Sequence, residues 1–174
     1  SALYTEQLLR QETLRQAHHS HCLTDGSPTA YGYGWEISEY AGHRLIEHGG
    51  GIHGFRTRAI RVPDERVFVA VLSNHGGTNP GLLAFKIAAL AIDQPYNEPE
   101  PVELGPELLT LYEGVYEIDG SKEIHITRED NRLFFQYGEN PRAELAPLSQ
   151  NEFFFRDMSL NHLLFVSDAN KVIT

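Results

Sequence analysis

Cysteine, methionine and tryptophan each occur once in the chain, and lysine only three times, at Lys86, Lys122 and Lys171. A single Cys22 excludes an intrachain disulfide and leaves the compartment open. No run approaches the roughly 18 apolar residues of a membrane-spanning helix. No basic-then-apolar stretch marks a signal peptide, and the start at Ser1-Ala2-Leu3 reads as a trimmed beginning. What the chain has in excess is acid: 24 Asp and Glu against 14 Lys and Arg, a net charge of −10. An acidic surface repels phosphate backbones, which argues against nucleic acid as a partner. The 174 residues, 41% of them apolar, suffice for one ordinary domain or two small ones, each with a packed core.

Leu3, Leu8, Leu9 and Leu14 form one apolar stripe, which predicts a short amphipathic helix over 3–16. HHSHCLTDGSPT (18–29) is a loop by composition. YGYGWEISEY (31–40) alternates as a half-buried strand does, and Arg44–His48 and Phe55–Val62 continue the pattern. VFVAVL (67–72) is a continuous apolar run, the texture of a strand covered on both faces. Together these predict an antiparallel meander. Asn79-Pro80 opens a helix that is apolar nearly all round, so it should lie against the sheet. Residues 95–106 hold four prolines and three glutamates, the composition of a stiff, solvated linker. Beyond it, six short runs lie about ten residues apart, separated by turn pairs such as Asp119-Gly120, Asp130-Asn131 and Asn140-Pro141. That spacing predicts a small antiparallel barrel or sandwich.

The stretch EHGGGIHGF (47–55) poses the functional question, because glycine weakens a regular element unless bare backbone is needed. An HGGG oxyanion loop of the α/β-hydrolase kind requires a G-x-S-x-G elbow, and none is present. A dinucleotide cradle must lead into a helix, whereas RTRAIRV (56–62) reads as a strand. His18, His19, His21 and Cys22 cluster, but in a loop without the downstream ligand pair of a structural zinc site, so neither metal nor cofactor is expected. A glycine-rich strand end where two backbones approach closely remains open as a purely structural reading.

One further reading accounts for the neighbourhood. YGYGW, a strand, His48-Gly49-Gly50, Gly54-Phe55, a strand, a Pro63-Asp64 turn and VFVAVLSN before a helix occur in order over about 60 residues. This set resembles the C-terminal half of the serine β-lactamase-related hydrolases, which include penicillin-binding proteins, class C β-lactamases, D-aminopeptidases and esterases. The resemblance implies that His48-Gly49-Gly50 is the His-x-Gly form of the family's third motif, on the edge strand flanking the nucleophilic serine. It implies catalytic roles for His48, beside the nucleophile, and for the Gly51 N–H, as an oxyanion donor. Gly49 and Gly50 would bind substrate, since an exposed edge strand pairs with an extended ligand through its main chain. LLTLYEGVYEI (108–118) resembles the opening of a lipocalin-like domain that follows such hydrolase domains.

Set against this family, two motifs are absent. No serine is followed three residues later by lysine, and the Tyr-x-Asn motif has no match outside YNE (96–98) in the linker. The expectation is therefore an α+β chain: residues 1–94 as the C-terminal portion of a hydrolase domain, an antiparallel sheet with flanking helices, then a linker (95–107) and a small β-barrel (108–174). It should be inactive alone, with a small-molecule or peptide substrate in the parent enzyme, and periplasmic or secreted by resemblance. The sequence leaves oligomeric state open. The alternative is a non-catalytic module in which Phe134, Phe135, Phe153, Phe154 and Phe155 line a ligand cavity in the barrel, rather than filling its core.

Overall fold

The computed structural model describes residues 2–118 and 122–167, side chains excepted at 122, 158 and 159; the expected Asp119-Gly120 turn lies outside them. The chain divides into two compact units, Ser1–Tyr96 and Asn97–Thr174.

The first unit is a four-stranded antiparallel meander, β1 (Glu36–Tyr40), β2 (His43–Ile52), β3 (Phe55–Val62) and β4 (Val67–Ser73), in the order β1-β2-β3-β4. Two tight turns fix its register. Ala41 and Gly42 (φ 51° and 80°) join β1 to β2, and His53 and Gly54 (φ 46° and 86°) join β2 to β3. Both central residues of each turn have positive φ, the conformation whose twist suits two-residue hairpins. Helix α2 (Pro80–Ala91) begins where Asn79-Pro80 predicts, with the Asn79 side chain accepting from the Leu82 N–H at 3.1 Å. It buries Ala84 and Ala88 against Leu45, Ile60, Val62 and Val69, and this is the unit's core.

Three expectations fail locally. Strand β4 is not covered on both faces: its burial alternates, and Phe68 and Leu72 are exposed. The N-terminal helix is confined to α1 (Gln11–Ala17), and Ala2–Tyr4 forms only a 3-10 turn. The Tyr4 ring lies under the Arg61 guanidinium, 4.9 Å away. Residues 31–35 do not join β1. Ala30 (φ 55°) and Gly34 (φ 76°) take left-handed backbone that a strand cannot use, and the segment folds over the sheet instead.

The second unit adds a short helix α3 (Pro106–Thr110) and six antiparallel strands: β5 (Gly114–Ile118), β6 (Lys122–Glu129), β7 (Arg132–Tyr137), β8 (Ala143–Pro147), β9 (Glu152–Phe155) and β10 (Met158–Leu164). They pair in sequence as a curled half-barrel. Phe153 is fully buried in a core with Leu109, Tyr112, Ile126, Leu133, Leu145 and Phe165. Tyr112 stacks on Phe165 at 4.5 Å and its hydroxyl donates to Gln150 O at 2.6 Å. Phe135 and Phe155 meet edge-to-face at 5.1 Å beside that core, and Phe134 lies under the Arg142 guanidinium at 4.4 Å. The phenylalanines thus pack against protein. No helix among the described residues is long and apolar enough to cross a membrane.

Candidate active site

The glycine run lies inside β2, opposite β3, with the pairs His48–Ala59, Gly49–Arg58, Gly50–Thr57 and Gly51–Arg56. On its other side β2 meets β1 only as far as Glu47, which pairs with Glu36. From His48 to Ile52 the strand is therefore an edge among the described residues. The two hairpins also fix which way its backbone points. The residues flanking a two-residue turn exchange both hydrogen bonds, and bonded pairs then alternate along the ladder. Starting from Ile52–Phe55, the N–H and C=O groups of Gly50 and His48 face β3. Starting from Tyr40–His43, those of Leu45 and Glu47 face β1. The two counts agree, so the amides of Gly49 and Gly51 face the open edge.

Each glycine also makes room. A Cβ on Gly49 would stand 3.1 Å from Arg58 Nη1, one on Gly51 2.9 Å from Arg56 Nη1, and one on Gly50 2.8 Å from the Thr57 hydroxyl. The arginine side chains of β3 thus lie across the bare backbone of β2. Arg58 is held there by Glu36 (2.6 Å) and Glu47 (2.7 Å), and Ser38 donates to the same Glu47 at 2.7 Å. Burial works against the Arg58 charge, but the hydrogen bonds to Glu36 and Glu47 outweigh it and hold its pKa above the usual guanidinium value. Arg56 is tied by Nε to Gly76 O at 3.3 Å. This network sets cationic groups beside the open edge.

His48 projects on the opposite face and is exposed. Its Nε2 lies 3.1 Å from the Tyr31 hydroxyl, the tautomer deciding which of the two donates. Sequence reasoning singled out His48 but missed Tyr31. The two residues are seventeen positions apart, and only the irregular path of 31–35 brings the phenol over β2.

The histidine-rich loop gathers no metal set: among the described residues no group of three or more His, Cys, Asp or Glu side chains converges. His18 is buried instead and meets Trp35 edge-to-face at 5.7 Å, its Nε2 unpartnered. Burial, and secondarily the charges of Arg61 and Arg44, hold its pKa below 6.5. A histidine that resists protonation when folded contributes stability that is full above its unfolded pKa and is lost as pH falls through the folded value. Between about pH 7 and pH 5, spanning the usual histidine pKa, the native protein should therefore lose more melting temperature than His18→Phe. Equal losses would show that His18 carries no such linkage.

An antiparallel sheet backed by α2, with an open, glycine-lined edge beside an exposed histidine, defines the strand layer of a β-lactamase-related serine hydrolase. Comparison with known proteins agrees: residues 2–92 match the Beta-lactamase family, to which the chain belongs. Penicillin-binding protein 4* of Bacillus subtilis (strain 168) is 29% identical over 168 residues, 91% of this chain and 37% of that protein. The D-aminopeptidase of Brucella ovis is 33% identical over 84 residues, 48% of this chain and 16% of that protein. The chain therefore spans well under half the length of either relative. Its fold resembles that of the octameric penicillin-binding protein homologue from Pyrococcus abyssi, with a TM-score of 0.52 at 19% identity, covering 95% of this chain and 40% of that one.

Proposed function

We propose that residues 47–54 form one side of the active site of an acyl-transferring serine hydrolase whose nucleophile lies outside residues 1–174. The observation that carries this reading is the open edge at His48–Ile52, with the amides of Gly49 and Gly51 facing outward. An extended substrate aligns along Gly49 and Gly50 through main-chain hydrogen bonds. The serine oxygen attacks the substrate carbonyl carbon, and its proton passes to the leaving amine or alcohol. The Gly51 N–H stabilises the charge that develops on the carbonyl oxygen. His48, next to this centre, hydrogen-bonds the substrate or relays the proton. Water then attacks the acyl-enzyme, forming the acid and restoring the serine. Amides, β-lactams, D-peptides and esters all fit this sequence of steps. Residues 108–174 form the lipocalin-like domain that follows.

The chain of 174 residues should be inactive alone, because none of its serines carries a lysine three residues on to activate it. Incubation with a chromogenic β-lactam or a p-nitrophenyl ester should give only the background rate. Turnover abolished by substituting a serine of this chain would overturn the assignment.

A further inference from the structure

Helix α1 has a buried side and a polar side. Leu14, Ala17 and the adjoining His18 are buried and hold it to its unit. Glu12, Arg15, Gln16 and His19 follow the i, i+3, i+4, i+7 spacing of one helix side, and all are exposed. That polar side lines a concavity. With His21 of the following loop and Tyr33 of the 31–35 segment it walls a cavity of about 410 Å³, within the range of about 300–1,000 Å³ usual for small-molecule sites. The 31–35 segment closes the cavity because position 32 is glycine. A Cβ there would stand 2.2 Å from Ala17 O, so bare backbone is what lets the Tyr33 N–H donate to that same carbonyl at 2.9 Å.

The side chains around the cavity lack partners. Among the described residues neither Glu12 nor Arg15 forms an ion pair, with the other or with a third group. The side chains of Gln16, His21 and Tyr33 make no hydrogen bond there either. His19 Nδ1 donates to Ser20 O at 2.8 Å, since a carbonyl only accepts, and this leaves Nε2 as the nitrogen a ligand would meet. The charges select the ligand. A plain anion is attracted by Arg15 and repelled by Glu12, and a plain cation the reverse. At this spacing the two Cβ atoms stand about 5–6 Å apart, so a molecule with both signs on one carbon satisfies both groups. No set of three or more metal-ligating side chains converges among the described residues, so a metal ion is not the occupant these walls suit.

We propose that this cavity binds a free α-amino acid, its carboxylate on Arg15, its ammonium on Glu12 and its side chain against the ring of Tyr33. Arg15 offers the planar fork that suits a carboxylate, with the Gln16 amide and His21 as further donors. The Tyr33 ring is 72% exposed and presents an apolar surface to the ligand. The site is separate from the open edge of β2 but joined to it. The His21 N–H donates to Tyr31 O at 2.8 Å, and the Tyr31 hydroxyl meets His48. The proposal goes beyond the catalytic reading and does not depend on it.

The test is isothermal titration calorimetry on the full-length protein with phenylalanine, in whichever hand binds more tightly, and two masked forms of it. Phenylalaninamide lacks the carboxylate and N-acetylphenylalanine lacks the ammonium. Phenylalanine should bind saturably, and each masked form at least ten-fold more weakly. Arg15→Met should weaken phenylalanine at least ten-fold and leave phenylalaninamide unchanged. Glu12→Gln should weaken phenylalanine likewise and leave N-acetylphenylalanine unchanged. Pairing a group lost from the ligand with one lost from the protein locates each contact. Gly51→Pro should bind phenylalanine as the native protein does. No saturable binding, equal binding of the masked forms, or full affinity in Arg15→Met or Glu12→Gln would overturn the proposal. So would a loss of binding in Gly51→Pro, which would move the ligand to the catalytic edge. Glu12 and Arg15 are exposed and unpartnered, so both variants should fold; if one does not, the masked forms and Gly51→Pro decide. The readout is the heat of binding and not turnover, so its failure is distinct from a failure of the catalytic assignment.

Discussion

Gly51→Pro in the full-length enzyme is expected to slow acylation about 10²–10³-fold, the usual cost of losing one oxyanion donor. Its melting temperature should change little. Both halves follow from the direction of one N–H. At Gly51 it faces the open edge, so proline removes no bond of the β2–β3 ladder, and edge positions of this kind accept proline. A Cβ at this position would stand 2.9 Å from Arg56 Nη1 and 3.2 Å from its Cδ, so the flexible arginine side chain must shift to admit it. Gly50→Pro is the control, because the Gly50 N–H faces β3. It should lose a ladder bond, about 1–3 kcal/mol, and melt several degrees lower. Equal melting losses in the two variants would show that the backbone parity is wrong. An unchanged acylation rate in Gly51→Pro would remove the oxyanion role.

His48→Ala should lower the acylation rate of the full-length enzyme by about 10²–10⁴-fold, the range for removing a positioned proton-transfer group. The fold should survive, since His48 is exposed and supports no core contact. Tyr31→Phe separates positioning from chemistry. It deletes one hydrogen bond to the imidazole, worth about 1 kcal/mol, so its loss should stay near ten-fold. In the double variant the Tyr31 change should add almost nothing, because its partner is gone. Full additivity would mean that the 3.1 Å contact does not serve His48, and an unchanged rate in His48→Ala would refute its assigned role.

Sequence and structure agree where local rules suffice. Phe55–Val62 is β3 to the residue, and Asn79-Pro80 starts α2, since alternation and capping are properties of short stretches. The His-Gly-Gly motif lies on a strand, as its resemblance to the family implies, and the edge exists because β1 stops at the partner of Glu47. What alternation misreads is Arg61, a charged residue in a strand pattern that signals solvent but is buried under Tyr4. Tyr31 is misread for a related reason. YGYGW has strand texture, yet Gly34 at φ 76° turns it into a strap over His48. Such contacts depend on where distant segments meet, and no periodicity records that.

The account centres on a serine nucleophile supplied from outside residues 1–174 to the edge formed by His48–Gly51. The most direct measurement is to trap the acyl-enzyme of the full-length protein with a slowly hydrolysed β-lactam or activated ester, then map the adduct by peptide mass spectrometry. The adduct should sit on a serine outside residues 1–174, followed three residues later by lysine, and should form far more slowly in Gly51→Pro. An adduct on any serine within residues 1–174, or one that forms at the native rate without His48 and the Gly51 N–H, would contradict it.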